Sequence, residues 1–386
     1  VNSNYQHVFI DIDFKSLTFI VLVVLGLSTI IQLLYYWWYF SRLSFLKERG
    51  PANTNPQLPP VSMIICARNE YSNLEKNIPL ILSQDYPDFE VVVVNDCSDD
   101  GTDELLSDFA RADSRLKVVH LRQSLNFFQG KKFPLSMGIK SAKNDILLLT
   151  DADCRPLSNQ WIKAFAMRYG RSTEVVLGYS PYEKKKGLLN LLIQFETFQT
   201  GVLYLSFALA KKPYMGVGRN LSYRKSLFMK NKGFTSHYSI PSGDDDLFIS
   251  HVADKSNTTI EISPESLVES LPKTSFVSWT RQKRRHLSTG KYYKSGIKFL
   301  LGTYTFSQLL FYASFIWLLF LPIVYFIPVG IFVFRSLNQF LIFYKAGKQL
   351  NTKFPFFFTS FAELFFIIFS PLLLFYNLFS KPAKWM

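Results

Sequence analysis

The chain has 386 residues, room for one domain of about 250 residues together with membrane segments. Hydrophobic residues make up 48% and aromatics 17%, with the 38 Phe gathered towards both ends, a load that speaks against an ordinary soluble enzyme. The formal charge of +14 suits an anionic membrane face or phosphorylated substrates, and no recognisable nucleic-acid-binding motif supports a nucleic-acid partner.

Residues 1–16 read as a tail, and 17–40 as a transmembrane helix. That run is almost wholly apolar and ends in Tyr35, Tyr36, Trp37, Trp38 and Tyr39, an aromatic cluster suited to a membrane interface. Asp11 and Asp13 precede it, and Arg42, Lys47 and Arg49 follow. The positive-inside rule then puts residue 41 onward in the cytoplasm, at an inner or plasma membrane. The run is too long for a cleaved signal peptide and lacks its basic flank. Residues 41–60 form a linker, extended where Pro and Asn gather at 50–60.

A domain then spans 61–298. VSMIICA (61–67), EVVVVND (90–96) and DILLLTDAD (145–153) read as buried strands, with VVLGYS (175–180) as a fourth. Helical periodicity over 73–83, 102–112 and 134–143 separates the first three. This alternation predicts an α/β fold, a mainly parallel Rossmann-like sheet with helices on both faces and ligands at the carboxyl ends of its strands. The apolar segment 188–210 is interrupted by Gln194, Glu196 and Gln199, and reads as an amphipathic helix in the membrane interface, with a further span as the alternative.

Residues 299–386 form a C-terminal membrane domain, making the protein multi-pass. Its spans fall near 303–321, 323–344 and 356–379, bent or broken by Pro322 and Pro328, with a basic cytoplasmic loop at 345–353. Arg335 inside a span must face protein or reach an interface. Cys66, Cys97 and Cys154 are far apart and odd in number, which predicts free thiols in a reducing compartment.

Polar clusters sit at the predicted strand ends. Asp151-Ala152-Asp153 closes an apolar strand, and two carboxylates so spaced can share a divalent ion, Mg²⁺ or Mn²⁺, that also binds a diphosphate; a surface turn yields the same residues. Asp96 can accept hydrogen bonds from a base or ribose, while Asp99 to Thr102 supply turn and helix-cap chemistry. Arg68-Asn69-Glu70 lies at the same sheet edge. Asp244-Asp245-Asp246 places three mutually repelling carboxylates together, which suits a general base or a helix N-terminus. The run WTRQKRRH (279–286) reads as an interfacial anchor or a clamp for diphosphate or anionic headgroups.

Together these residues resemble the family 2 inverting glycosyltransferases of the GT-A fold, over roughly residues 61–293. The likeness rests on Ala67-Arg68-Asn69-Glu70, Gln84-Asp85-Tyr86-Pro87, Ser98-x-Asp100-Gly101-Thr102, Gly130-Lys131 with Leu135 and Gly138, Asp151-Ala152-Asp153, and Gly218-Arg219-Asn220-Leu221-Ser222-Tyr223-Arg224. The resemblance implies a nucleotide-sugar donor, UDP-linked, and the position of the domain against the bilayer suggests a membrane lipid or lipid-linked acceptor. It implies that Asp96 contacts the base with Arg68, Glu70 and Lys131 nearby, and that Asn220 lies in the sugar loop. Asp151 then serves ribose and metal, and Asp153 is the more direct metal ligand. Gln282 and Arg285 belong to the donor site. The acidic cluster supplies the base: spacing before Leu247 selects Asp244, whereas reading Gly-Asp-Asp as the motif selects Asp245. Processive polysaccharide synthases of the family carry Gln-x-x-Arg-Trp, but here Gln282-Lys283-Arg284-Arg285 is followed by His286, which favours single transfer over polymerisation. A non-catalytic membrane scaffold with a degenerate site is the reading from another class.

Overall fold

The computed structural model describes residues 14–47, 58–122, 130–240, 242–321, 326–352 and 354–380. Its nine strands are β1 (Val61–Ala67), β2 (Phe89–Asp96), β3 (Leu116–Leu121), β4 (Ile146–Asp151), β5 (Cys154–Pro156), β6 (Val175–Leu177), β7 (Leu221–Arg224), β8 (Thr258–Ile260) and β9 (Val268–Ser270). Seven form one sheet in the order β3-β2-β1-β4-β7-β6-β8, and β5 pairs with β9 beside it. Pairing is parallel from β3 to β4 and antiparallel on both sides of β7, so β7 alone runs against the rest. The expected α/β architecture is therefore present. The central strands β1, β2 and β4 are apolar runs buried along nearly their whole length, as a sheet covered on both faces requires.

Alternate residues feed two cores. Met63, Ile65, Val91 and Val93 face the helices α2 (Tyr71–Leu82) and α3 (Thr102–Ala112), with Trp161 and Phe165 from α5 (Trp161–Ala166) beside them. Ile64, Cys66, Val92 and Val94 face α4 (Lys132–Ser141), in the same core as the long helix α6 (Leu188–Leu209). Gly138 of α4 lies so close to the sheet that a Cβ there would meet Val94 and Ile64 side chains at 2.8 and 2.9 Å. The parallel register matters most for function. Cys66 pairs with Asp151 and Ala67 with Asn95, so β1, β2 and β4 end at one level and present Arg68, Asp96 and Asp151 along one edge.

The edge strand β3 was not foreseen, because Lys117 and His120 interrupt its apolar residues on an exposed margin. Segment 188–210 also departs from expectation. It does not lie amphipathically on a surface: beyond Leu188, no residue of α6 is exposed. The helix is apolar nearly all round, and such a helix is stable only when buried on all sides. Phe195 stacks near Phe366, and Phe198 meets Phe343, so α6 stands between the sheet and the apolar terminal helices.

Among the described residues, four helical segments are long and apolar enough to cross a membrane: Leu17–Ser44, Ser295–Leu319, Phe326–Gln349 and Phe356–Phe379. The first contains α1 (Phe14–Leu34) and a π-helical stretch, Tyr35–Phe40, that divides the aromatic cluster. Tyr35, Tyr36 and Phe40 turn inward, while Trp37 and Trp38 stay exposed. The remaining segments contain α9 (Ser295–Leu319), α10 (Phe326–Gln349) and α11 (Thr359–Phe379). Helix α10 runs on through Lys345 and Lys348, where a loop was expected, because Lys, Ala and Gln are good helix formers. Asp11, Asp13, Arg49, Pro322 and Lys353 lie outside the described residues.

Arg335 faces protein, as its cost in lipid demands. It is fully buried, 2.7 Å from Glu363. Its guanidinium also donates to Gln32 at 2.6 and 2.9 Å and to Gln339 at 2.6 Å. Gln308 and Tyr312 donate to Glu363 at 2.8 and 3.2 Å. One polar knot thus joins all four apolar helices.

Candidate functional site

Beyond the sheet's carboxyl edge, a cavity of about 310 Å³ opens between β4, the loop before β7, the acidic loop and the helix α8 (Phe276–Leu287). Asp151 ends β4 at its floor, and Lys131, at the start of α4, donates from Nζ to the Asp151 carboxylate. Burial opposes charge on Asp151, but the Lys131 ammonium overcomes it, with Arg219 and Arg285 behind, and holds the carboxyl below the usual carboxylate range. The next turn carries Asp153. Its carboxyl is raised by burial and by the Asp151 charge.

Ligand atoms of Asp151, Asp153 and Cys154 lie within 4.8 Å of one another. The Cys154 thiol is pushed well up by burial and by Asp153 and Asp151, so it stays protonated and donates to Asp153 Oδ1 at 3.3 Å. Two neighbouring carboxylates, one of them raised by the charge of the other, fit a hard divalent cation held by oxygen, with the thiol as bystander.

The acidic trio occupies the opposite side, and each carboxylate has different work. Asp246 accepts from Thr289 Oγ1 at 2.5 Å and Tyr293 OH at 2.8 Å, which ties the trio to the chain following α8. Asp245 accepts from the Gly218 N–H at 2.8 Å and the Asp246 N–H at 2.7 Å. Burial, then the Asp244 and Asp246 charges, push the Asp245 carboxyl up to about 7. Asp244 lines the cavity and bears on the Lys131 ammonium, with no hydrogen bond to its carboxylate among the described residues. It is the carboxylate left open to an incoming molecule.

Helix α8 forms a wall. Gln282, Lys283, Arg285 and His286 line the cavity, whereas Arg284 turns away to Asn377 Oδ1 at 2.8 Å and Ser380 O at 2.6 Å, fastening α8 to the last apolar helix. Gln282 Nε2 donates to Tyr182 OH at 3.3 Å, and the Arg219 guanidinium lies 4.1 Å from the centre of the same ring. His286 is open to the cavity. Enclosure by surrounding protein, then the Lys283, Arg285 and Arg219 charges, push its pKa well down, so the imidazole is neutral.

Of the residues expected at the site, Lys131, Asp151, Asp244, Asp245, Gln282 and Arg285 converge on this cavity. Arg68, Glu70 and Asp96 stand along the adjoining strand ends. The Asp96 carboxyl is raised by burial and opposed by Arg68. Glu70 is raised by burial, helped by the Asp153 and Asp151 charges after its hydrogen bond from Asn73 opposes the shift. The turns after β1 and β2 are clipped together: the Asn69 N–H donates to Ser98 Oγ at 3.0 Å, and the Tyr71 N–H to Asp100 Oδ2 at 3.1 Å. Asp100 is thereby occupied in holding the turn.

Asn220 does not reach the cavity, contrary to expectation. It is fully buried, its Nδ2 donating to Tyr179 O at 2.8 Å and Ser266 O at 2.9 Å while Oδ1 accepts from Trp161 Nε1 at 3.0 Å. Those bonds hold the loop before β7 and leave Arg219, its neighbour, to face the cavity. Lys132 was also missed. Its buried ammonium donates to the carbonyls of His237, Ile240 and Ser242 at 2.6, 2.7 and 2.8 Å, pinning the chain that leads into the acidic trio. Replacing Lys132 by Met removes charged-donor bonds and leaves carbonyls unpaired. We expect a loss of about 2–3 kcal/mol in thermal unfolding, with turnover falling alongside. Unchanged melting would show that the pin is dispensable.

Comparison with known proteins accords with this geometry. The profile for glycosyl transferase family 2 matches residues 62–231. Glycosyltransferase AglE of Haloferax volcanii is 35% identical over 108 residues, 28% of this chain and 34% of that protein. The probable glycosyltransferase YdaM of Bacillus subtilis is 28% identical over 187 residues, 46% of this chain and 43% of its own. The chain thus spans under half the length of these curated relatives. Among solved structures, the mannosyltransferase PcManGT from Pyrobaculum calidifontis, in complex with GDP-Man and Mn²⁺, superposes with a TM-score of 0.59 at 18% identity, covering 87% of this chain and 99% of that one. That likeness is one of fold.

Proposed function

We propose that the chain, whose residues 62–231 match the profile for glycosyl transferase family 2, transfers one sugar from a nucleotide-diphosphate donor, UDP-linked in the first instance, to a membrane acceptor with inversion. One observation carries the reading: Asp151, which ends β4 two residues before Asp153, faces one cavity with the acidic trio, and Lys131 lies against both. Asp244 takes the proton from the acceptor hydroxyl as that oxygen attacks the anomeric carbon. The bond to the diphosphate breaks in the same step, and the nucleoside diphosphate leaves. Arg219 and Arg285 face the negative charge that grows on the leaving group. Asp245 and Asp246, tied to Gly218, Thr289 and Tyr293, keep Asp244 aimed.

Asp151 and Asp153 would hold Mg²⁺ or Mn²⁺, which supplies charge neutralisation of the diphosphate when bound. Arg68, Glu70 and Asp96 continue the same edge and suit the nucleoside. The four apolar helices, with Arg42 and Lys47 after the first, support a multi-pass protein whose domain is cytoplasmic. His286 presents a neutral imidazole where an acceptor-stacking Trp would favour polymerisation, which supports single transfer.

Asp153→Asn tests the cation site. We expect donor consumption to fall on the order of 100-fold or more and the product from wild-type protein to be one glycoconjugate of defined mass. Full activity in this variant would remove the cation site from the reaction, consumption of no donor by the wild type would support the scaffold reading, and a product growing to high mass would support a processive synthase.

A further inference from the structure

We propose that the acceptor is a neutral, hydroxyl-bearing headgroup, a sugar or glycerol, and that the cavity wall built by α6 and α8 disfavours lipid phosphates. This rests on reading the cavity as a sugar-transfer site and adds the chemical class of its second substrate.

The permanent cations lining the cavity are Lys131, Arg219, Lys283 and Arg285. Three of them act on the floor: Lys131 donates to Asp151, and Arg219 and Arg285, the latter reaching from α8, both bear on the Asp151 charge. Those are the cations a diphosphate leaving group needs. The fourth, Lys283, stands on the far wall and is already matched. Its Nζ lies 2.6 Å from Glu196 of α6, with only 12% and 21% of the two side chains exposed. Such an enclosed pair leaves no net positive charge for an incoming phosphate, and the Glu196 carboxylate would repel one. His286 beside it is neutral, and Arg285, the other α8 cation, bears on the Asp151 charge, so the side of the wall facing α6 has no second cation to offer.

What remains on that wall is hydroxyl and apolar surface: the Thr197 and Thr200 hydroxyls and the Tyr204 ring from α6, whose own hydroxyl is bound to the Gly178 carbonyl, and Leu287 from α8. Hydroxyls, a carboxylate and a neutral imidazole match the alternating donors and acceptors of a saccharide or glycerol. The wall also faces the right way. Helix α6 packs through Phe195 and Phe198 on the apolar terminal helices, so a headgroup entering from the bilayer side meets these residues.

The test uses the full chain in detergent with Mn²⁺ and a panel of UDP-glucose, UDP-galactose, UDP-N-acetylglucosamine and GDP-mannose. Acceptors are octyl glucoside, dioleoylglycerol or undecaprenyl phosphate. Nucleoside diphosphate released from any donor reports the transferase reading itself; the acceptor that speeds release reports this proposal. Octyl glucoside or dioleoylglycerol should accelerate release by about tenfold or more over undecaprenyl phosphate, and the better of the two identifies the source, sugar or glycerol. Glu196→Gln frees Lys283 and should narrow that preference by about tenfold. If the variant is inactive with every acceptor, the wild-type ranking decides. Undecaprenyl phosphate as the preferred acceptor, or no acceleration by either neutral one, overturns the proposal. Release from no donor removes the transferase reading and this inference with it.

Discussion

Replacing Asp244 by Asn should slow turnover by about 10²- to 10⁴-fold, the range lost with a positioned general base, while leaving nucleotide binding near that of the wild type. The carboxylate lines the cavity and has no protein hydrogen bond among the described residues, so its loss breaks no support. Asp245→Asn should behave differently. Its oxygens accept from the Gly218 and Asp246 N–H groups, and an amide cannot accept at both, so the loop loosens and substrate affinity falls along with rate. The pH profile separates the two further. Asp245 holds a proton up to about 7, chiefly through burial and then through the Asp244 charge, so activity that requires an ionised trio should rise as pH passes about 7. Removing the Asp244 charge lowers the Asp245 pKa, so the rise in residual activity should move to lower pH in Asp244→Asn. An Asp244→Asn enzyme with wild-type turnover would transfer the base to Asp245.

The second large effect lies away from the chemistry. Arg335→Met leaves Glu363 buried and unpaired among four apolar helices, a loss of about 3–5 kcal/mol for a broken buried pair. The expected result is poor yield of monodisperse protein in detergent and a lowered unfolding temperature. Arg335→Met with Glu363→Met removes both charges, and should recover much of the loss because an apolar pair of similar size fills the same space. Wild-type stability in the single variant would mean that the knot is not what joins the helices.

Much of this was legible because the relevant signals are local. The apolar runs ending at Asp96 and Asp151 carry both the strand and the functional carboxylate in one stretch, and parallel register puts their ends level. Likewise, Arg335 inside an apolar span had to face protein or reach an interface, although sequence alone neither chose between these nor selected Glu363. Other features depend on distant contacts. Asn220 and Arg219 are neighbours in one motif, and only the packing of Trp161, Tyr179 and Ser266 decides that the amide is structural and the guanidinium faces the cavity. Lys132 looks like one more surface cation beside Lys131 until three carbonyls over a hundred residues away converge on it. Helix α6 was misread because Gln194 and Glu196 suggested a wet face. In the fold, Gln194 donates to the Tyr182 carbonyl and Glu196 pairs with Lys283, so both polar groups are satisfied inside.

The most direct test of the central claim is nucleoside diphosphate release by the purified chain, supplied with Mn²⁺, a panel of nucleotide sugars and membrane lipid extract. The account predicts that one donor is consumed with formation of a single defined glycolipid, that chelation stops the reaction, and that Asp153→Asn and Asp244→Asn are each nearly inactive. Consumption of no donor, or turnover indifferent to chelation and to both substitutions, would contradict it.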